Sequence, residues 1–358
     1  MLHGLSFLPD CTPATKSATD YYRDAFRLSA IADEAGLSAI KMTEHYLHAY
    51  GGYCPSPLSF LASVAARTSR IRLMTGCVLP AFHHPVQLAA ETAMLDVMSE
   101  GRLDVGFARA WLPYEFDVFG VNLDDSRELF TTAVDTVIKL WTEENVSVEN
   151  RFFKLDGVTS TPKPVQRPHP PTWGAAVLSP ESFANLGAAG HNLLLPASIT
   201  GFGGTQQFIS LYRQAYAATH DAGRGSVALS LPMLIADTMA QATDAADRHL
   251  QQYLDVWTSA GDSWSSVTSS NYKNYTGVSH VLRSVTPQGM RDLGVAVIGD
   301  VESVTDQVRR LAAELDVDQV LWQIDFGSMP GELAEGTLRR LVDHVIPALD
   351  DVPAATSA

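Results

Sequence analysis

Cysteine is scarce in this chain of 358 residues: Cys11, Cys54 and Cys77 form an odd, sparse set with no CxxC spacing. That argues against a disulfide framework and for reduced thiols in a cytoplasmic protein. Basic residues are outnumbered, with 25 Lys+Arg against 40 Asp+Glu and a formal net charge of −15. So acidic a surface repels phosphate backbones and anionic lipid, which argues against nucleic-acid and membrane partners. Any anionic ligand must then be held by a few local cations. No apolar run approaches the roughly 18 residues of a membrane span. The start, Met1-Leu2-His3-Gly4, lacks the charged and apolar regions of a signal peptide. There is no GxGxxG after the first apolar run, and no GxSxG, HExxH or Walker motif.

What is present is an alternation of short apolar runs with longer stretches of helical period, at 46% hydrophobic and 18% charged residues. Strands are expected at Gly4–Leu8, Ser38–Thr43, Ile71–Thr75, Arg102–Phe107, Thr172–Ala176, Asn192–Leu195, Ala228–Ala236 and Gln319–Ile324, with helical segments between them. Eight such units predict an α/β fold, a (β/α)8 TIM barrel, with a doubly wound parallel sheet as the alternative. The missing GxGxxG removes the dinucleotide-binding form of that alternative. Val146–Val148 and Phe152–Leu155 flank Glu149-Asn150-Arg151 and predict an appended hairpin. Between Thr258 and Gly289 the chain is rich in Ser, Thr, Asn, Gly and Tyr. With Trp264, Tyr272 and Tyr275 it carries too many aromatics for a linker, so a long lid-like insertion before the last βα unit is expected rather than a disordered one. Residues 1–350 read as a single barrel domain and 351–358 as a frayed, disordered tail.

In a TIM barrel the chemistry sits just past the strands, at the C-terminal face. Thr43-Glu44-His45 ends the second strand, and an imidazole there can move a proton near neutrality or meet a bound anion; a structural histidine would fit the same spacing. His83-His84 does not read as a metal site, because adjacent side chains diverge and no carboxylate or cysteine stands at ligand spacing. Ala108-Arg109-Ala110-Trp111 follows the fourth strand, and Arg127 opens the next helix. Two arginines at one rim of an acidic protein can grip a phosphate, or each can pair with a surface carboxylate. Ser179-Pro180-Glu181-Ser182 begins a helix whose free N–H groups also favour an anion. In the last strand Gln323 and Asp325 share a face, pointing either into the site or into the packing behind it.

Taken together, these stretches resemble the bacterial luciferase-like flavin monooxygenases. The resemblance is carried by Glu44-His45, Pro55–Leu58, Ala65–Leu73, Leu79-Pro80 with His84-Pro85, and Leu95–Asp104. Glu115-Phe116, Phe119-Gly120, Ser126-Arg127, Pro164–Gln166, Pro168–Pro171 and Ser179–Ser182 complete it. It implies a TIM barrel with an FMN-type flavin at its mouth, Glu44 among the cofactor contacts, and His45 beside the flavin as the catalytic residue. It matches Arg127 to an arginine on the flavin phosphate and Arg109 to a second basic residue at that rim. Ser179, Pro180, Glu181 and Ser182 match a helix start that donates backbone N–H groups to the phosphate. Thr75-Gly76 matches a position where the family often carries a non-prolyl cis peptide against the flavin ring. Relatives commonly read Gly-Arg-Gly where this chain reads Ala108-Arg109-Ala110, and with Trp111 the added bulk narrows the space at the flavin.

The activity so implied is a two-component monooxygenase. Reduced FMN from a separate flavin reductase reacts with O2 as cosubstrate, through a C4a-(hydro)peroxyflavin, to oxygenate a small organic substrate. Val320–Gly327 is similar to a branch associated with secondary-metabolite biosynthesis, and a homodimer is expected. The rivals are an F420-dependent hydride-transferring oxidoreductase on the same fold and a non-catalytic flavin-binding protein.

Overall fold

The strands are, in chain order, β1 Leu2–Phe7, β2 Ala39–Met42, β3 Arg72–Thr75, β4 Leu103–Phe107, β5 Val146–Glu149, β6 Lys154–Val158, β7 Thr172–Ala175, β8 Asn192–Leu195, β9 Val227–Ile235, β10 Val297–Gly299 and β11 Gln319–Gln323. The computed structural model describes residues 1–196, 201–221, 223–273 and 275–350, so the expected tail at 351–358 lies outside the described residues. Parallel pairing runs β1-β2-β3-β4-β7-β8-β9-β11, and β11 returns to β1, so these eight strands close the expected barrel. The helices between them bury one face each against it. Their starts are written locally: Ser17 caps Ala18–Glu34 by accepting from the Asp20 N–H, and Pro57 and Pro85 open their helices where no N–H is needed. Among the described residues no helix is long and apolar enough to cross a membrane.

β5 and β6 pair antiparallel as the appended hairpin. The region before the last barrel strand departs from expectation. β9 is nine residues long, and β11 pairs with it only over Ala228–Pro232. The remainder, Met233–Ile235, pairs with β10, which is followed by the helix Val301–Glu314. An extra βα unit therefore stands between the insertion and the last barrel strand. The insertion itself is largely helical rather than loop. The helix Met239–Gly261 runs into it, a short turn covers Asp262–Trp264, and helices follow at Val278–Ser284 and Pro287–Asp292. Its composition is polar, yet Trp264, Tyr272 and Leu282 are buried, while Val281 stays exposed.

Candidate active site

Period-two alternation builds the site from the barrel's own strands. Ala39, Met74, Trp173, Leu194, Ala228 and Leu321 meet as one buried apolar layer inside the barrel. Two residues further along the same strands stand Lys41, Gly76, Ala175, Pro196, Ser230 and Gln323, and all six border a cavity of about 370 Å³. The lower layer plugs the barrel, and the upper one floors a pocket at the strands' carboxyl ends, where such folds place their chemistry. Gly76 is required here: a Cβ would fall 2.2–2.4 Å from the Lys41 stem, which packs across it. A non-prolyl cis peptide lies at Gly76-Cys77, one residue beyond the expected Thr75-Gly76. Thr75 turns away from the cavity, its hydroxyl joining the Gly106 carbonyl at 2.9 Å and the Gly106 N–H at 2.8 Å.

His45 borders the cavity and is 4% exposed. Its Nδ1 lies 3.1 Å from Glu115 Oε1, an oxygen that also accepts from the Tyr46 N–H at 2.8 Å. A buried carboxylate beside Nδ1 favours the proton there, which leaves Nε2 for the cavity. The ring is packed by Tyr50, with centroids 4.7 Å apart, and by Gly51, whose φ of +73° and 2.8 Å clearance from His45 admit no side chain. The fully buried Glu44 accepts from the Tyr46 O–H at 2.7 Å and the Leu79 N–H at 3.1 Å, and its Oε1 lies 2.7 Å from His83 Nε2. Burial disfavours a charged His83, but this hydrogen bond and the carboxylate charge outweigh it and raise the imidazole's pKa. Glu44 thus borders the cavity with its oxygens already taken by protein, and His84 accepts from the Val86 N–H at the start of the next helix.

At the rim, Arg109, Arg127, Ser179, Glu181 and Ser182 all border the same cavity, whereas Pro180 only opens its helix. Arg109 Nη1 is buried and finds no hydrogen-bond partner among the described residues. A buried cationic donor left without an acceptor is costly, so this atom invites an anion. Among the described residues Arg127 reaches Glu181, at a long 3.4 Å, from a side chain 32% exposed, and a surface contact of that kind holds it weakly. The helix Pro180–Ala188 offers less than expected: Pro180 has no N–H, and the Ser182 N–H already reaches the Ser179 carbonyl at 2.9 Å. The Glu181 N–H and the two serine hydroxyls remain as its donors.

The insertion closes over this rim. Tyr272, 2% exposed, donates its O–H to the Ala110 carbonyl at 2.8 Å, and the Arg109 guanidinium lies 4.7 Å from its ring centre. Trp264 and Tyr275 pack on Tyr272 at 5.1 and 5.3 Å, while Tyr275 reaches Trp111 at 5.9 Å. Ala110 itself has φ +57°, the left-handed region that costs a side-chain-bearing residue and suits glycine.

A sequence model described as luciferase-like monooxygenase matches residues 2–319. The chain belongs to that family. Among curated relatives, the oxygenase component of a flavin-dependent trigonelline monooxygenase from Acinetobacter baylyi is 28% identical over 344 residues, covering 92% of this chain and 90% of its own. Among solved structures, the monooxygenase RslO1 from Streptomyces bottropensis superposes with a TM-score of 0.86 at 34% identity, covering 97% of this chain and 99% of its own. The oxygenating constituent of a 3,6-diketocamphane monooxygenase from Pseudomonas putida, solved with FMN, shares the fold with a TM-score of 0.79 at 17% identity, over 97% of this chain and 98% of its own.

For this luciferase-like monooxygenase, then, one cavity gathers Glu44, His45, Gly76, Arg109, Trp111, Arg127, Ser179, Glu181 and Ser182, and leaves out Thr75 and Pro180. Glu115 and Lys41 are among the residues of the site that carried no role in the sequence reading. Glu115 lay within a family-like stretch, and its place on a short helix, Pro113–Phe119, only becomes meaningful once that helix meets His45. Lys41 is the inward residue of β2, a lone cation in an apolar strand, and that contrast was the available signal. Asp325 is absent from the cavity wall; its Oδ2 accepts from the Tyr21 O–H at 2.8 Å behind the barrel wall.

Proposed function

We propose that the chain is the oxygenase component of a two-component flavin monooxygenase, using reduced FMN and O2 to oxygenate a small organic substrate. The observation that carries this reading is the buried Arg109 Nη1, without a partner among the described residues, at the rim of a cavity that His45 also borders. With Arg127, the Ser179 and Ser182 hydroxyls and the Glu181 N–H, it would hold the flavin's phosphate, Arg127 exchanging its weak Glu181 contact for a doubly charged anion. Gly76 lets the Lys41 stem lie across the end of β3, and both residues border the cavity in which a flat ring would lie. Bound there, the flavin supplies the oxygen activation.

The protein's own residues do the rest. Glu115 fixes the imidazole of His45, so that Nε2 can hold or deliver a proton at the cavity. Trp111, Trp257, Tyr272 and Tyr275 line the mouth with aromatic surface and keep water from the reacting centre. The FMN-bound relative of the same fold and the flavin-dependent curated relative both support the cofactor assignment. A separate flavin reductase and a role in secondary-metabolite biosynthesis belong to the same proposal. So does a homodimer, for which the helix Pro85–Met98 offers Met94, Val97 and Met98 as exposed apolar surface.

The test is binding and oxygen consumption with reduced FMN, run beside reduced F420. Tight binding of FMN, with reoxidation at a rate set by the protein, is expected. Reoxidation at the rate of free flavin, or hydride transfer from F420 with no oxygen consumed, would overturn the reading.

A further inference from the structure

We infer that the closed end of the cavity is a subsite for one anionic or strongly polarised oxygen of the organic substrate, received by Lys41, Ser230 and Gln323. The inference rests on the cavity being the flavin and substrate site, and names the chemistry its deep end selects.

The three residues come from β2, β9 and β11 and belong to the layer just above the apolar plug. Lys41 Nζ reaches across the barrel to Ser230 Oγ at 3.1 Å, its hydrogen bond among the described residues, and no carboxylate there lies within ion-pair distance of it. The lysine is half-buried, and it borders the cavity. Gln323 is 4% exposed, borders the same cavity, and has a terminal amide N–H group with no partner among the described residues. Ser6 stands beside Lys41 in the β1–β2 register and borders the cavity too. A cation, an unused amide donor and hydroxyls that can turn thus border one cavity, with no carboxylate among the described residues in ion-pair contact with the cation.

The carboxyl whose charge bears on the lysine, Asp325, supplies little of it. Burial, together with the neighbouring Asp10, pushes the Asp325 carboxyl up to about 8, so it is largely protonated at neutral pH. Burial pulls the Lys41 ammonium down to about 8, which still leaves it mostly charged there. A buried ammonium without a counter-ion is held at a cost, and an incoming oxyanion removes that cost. One ammonium and one amide suit a single oxygen: a phenolate, an enolate, or one end of a carboxylate. They do not suit a phosphate, for which the rim arginines are placed. Leu8, Leu79, Ala175 and Leu194 border the same cavity and are apolar, so the body attached to that oxygen is apolar as well. The same donors could instead meet the polarised carbonyl edge of the flavin, and the experiment separates the two sources.

The probe is 4-nitrophenol, whose absorbance reports its ionisation, with 4-nitroanisole as a neutral partner of the same shape. In parent protein saturated with FMN, nitrophenol should bind as the phenolate, in preference to the anisole. Lys41→Met should weaken phenolate binding about tenfold or more, and Gln323→Leu about fivefold, with the anisole unaffected. FMN affinity, measured on the same samples, should stay within a few-fold and shows that each variant is folded. Should Lys41→Met fail to fold, Gln323→Leu probes the same subsite. Equal binding of phenolate and anisole by the parent would overturn the proposal. So would a Lys41→Met loss that falls on FMN instead of the phenolate, since the cation would then serve the flavin. Failure of the parent to bind FMN at all would count against the flavin reading, independently of how the two nitro compounds compare.

Discussion

Tyr272 donates its hydroxyl to the carbonyl of Ala110 at 2.8 Å, and so ties the insertion to the loop that carries Arg109. The bond holds a residue at φ +57° in place and lays an aromatic ring beneath the rim guanidinium. Tyr272→Phe removes the donor and keeps the ring, at about 1 kcal/mol. Limited proteolysis should then cut within 258–289 faster than in the parent, and saturating FMN should slow cleavage of both. Cleavage indifferent to FMN would make the insertion a passive cover rather than a lid.

The two rim arginines should not contribute equally. Arg109 brings a buried donor with no partner among the described residues, whereas Arg127 is partly exposed and leans on Glu181. Arg109→Ala is expected to weaken FMN binding by about 1.5–3 kcal/mol, the range for hydrogen bonds to charged groups, with a smaller loss for Arg127→Ala. Riboflavin, which lacks the phosphate, should barely distinguish either variant from the parent. Titration of flavin fluorescence measures all of these, and equal losses for FMN and riboflavin would remove the arginines from the phosphate.

His45 and Glu115 should govern turnover more than cofactor affinity. His45→Gln fills the space without acid–base function and should lower product formation by roughly 10²–10⁴-fold. Glu115→Gln keeps a hydrogen-bond acceptor near Nδ1 but loses the charge that holds the imidazole, and should fall between parent and His45→Gln. Both should bind FMN within a few-fold of the parent and release more hydrogen peroxide per oxygen consumed. Full coupling in His45→Gln would return the histidine to a packing role.

Stability should carry a signature of the buried Asp10 and Asp325. Burial raises both carboxyls, to about 7 and about 8, above their unfolded values near 4. The folded state therefore binds more protons than the unfolded state between those limits, and these two groups make stability fall as pH rises from about 5 to about 8. Asp325→Asn keeps an acceptor for the Tyr21 hydroxyl and removes one titration. Relative to the parent, its urea midpoint should improve steadily from pH 5 to pH 8. A constant difference across that range would show that Asp325 does not titrate there.

The barrel was legible in the sequence because strand and helix periods are local properties: a buried parallel strand needs a short apolar run, and its helix needs a stripe and a cap. The same holds for His45, Arg109 and Arg127, which stand at strand ends or a helix start where the fold delivers its side chains to one rim. The short β10 was not legible, since three residues carry no period and exist as a strand only because β9 outruns β11. Nor were the helices within the insertion, hidden by its polar composition, although the aromatics that made a lid the expectation do pack on one another there. The partnership of Glu115 with His45 joins residues 70 positions apart, and the contact of Lys41 with Ser230 joins residues 189 apart. What the sequence determined alone was the type of each element and which side chains stand at its ends. Which of those side chains share one cavity, which stay without a partner in it, and which turn into the packing as Thr75 does, depended on barrel closure, because only closure sets the distances between strands far apart in the chain.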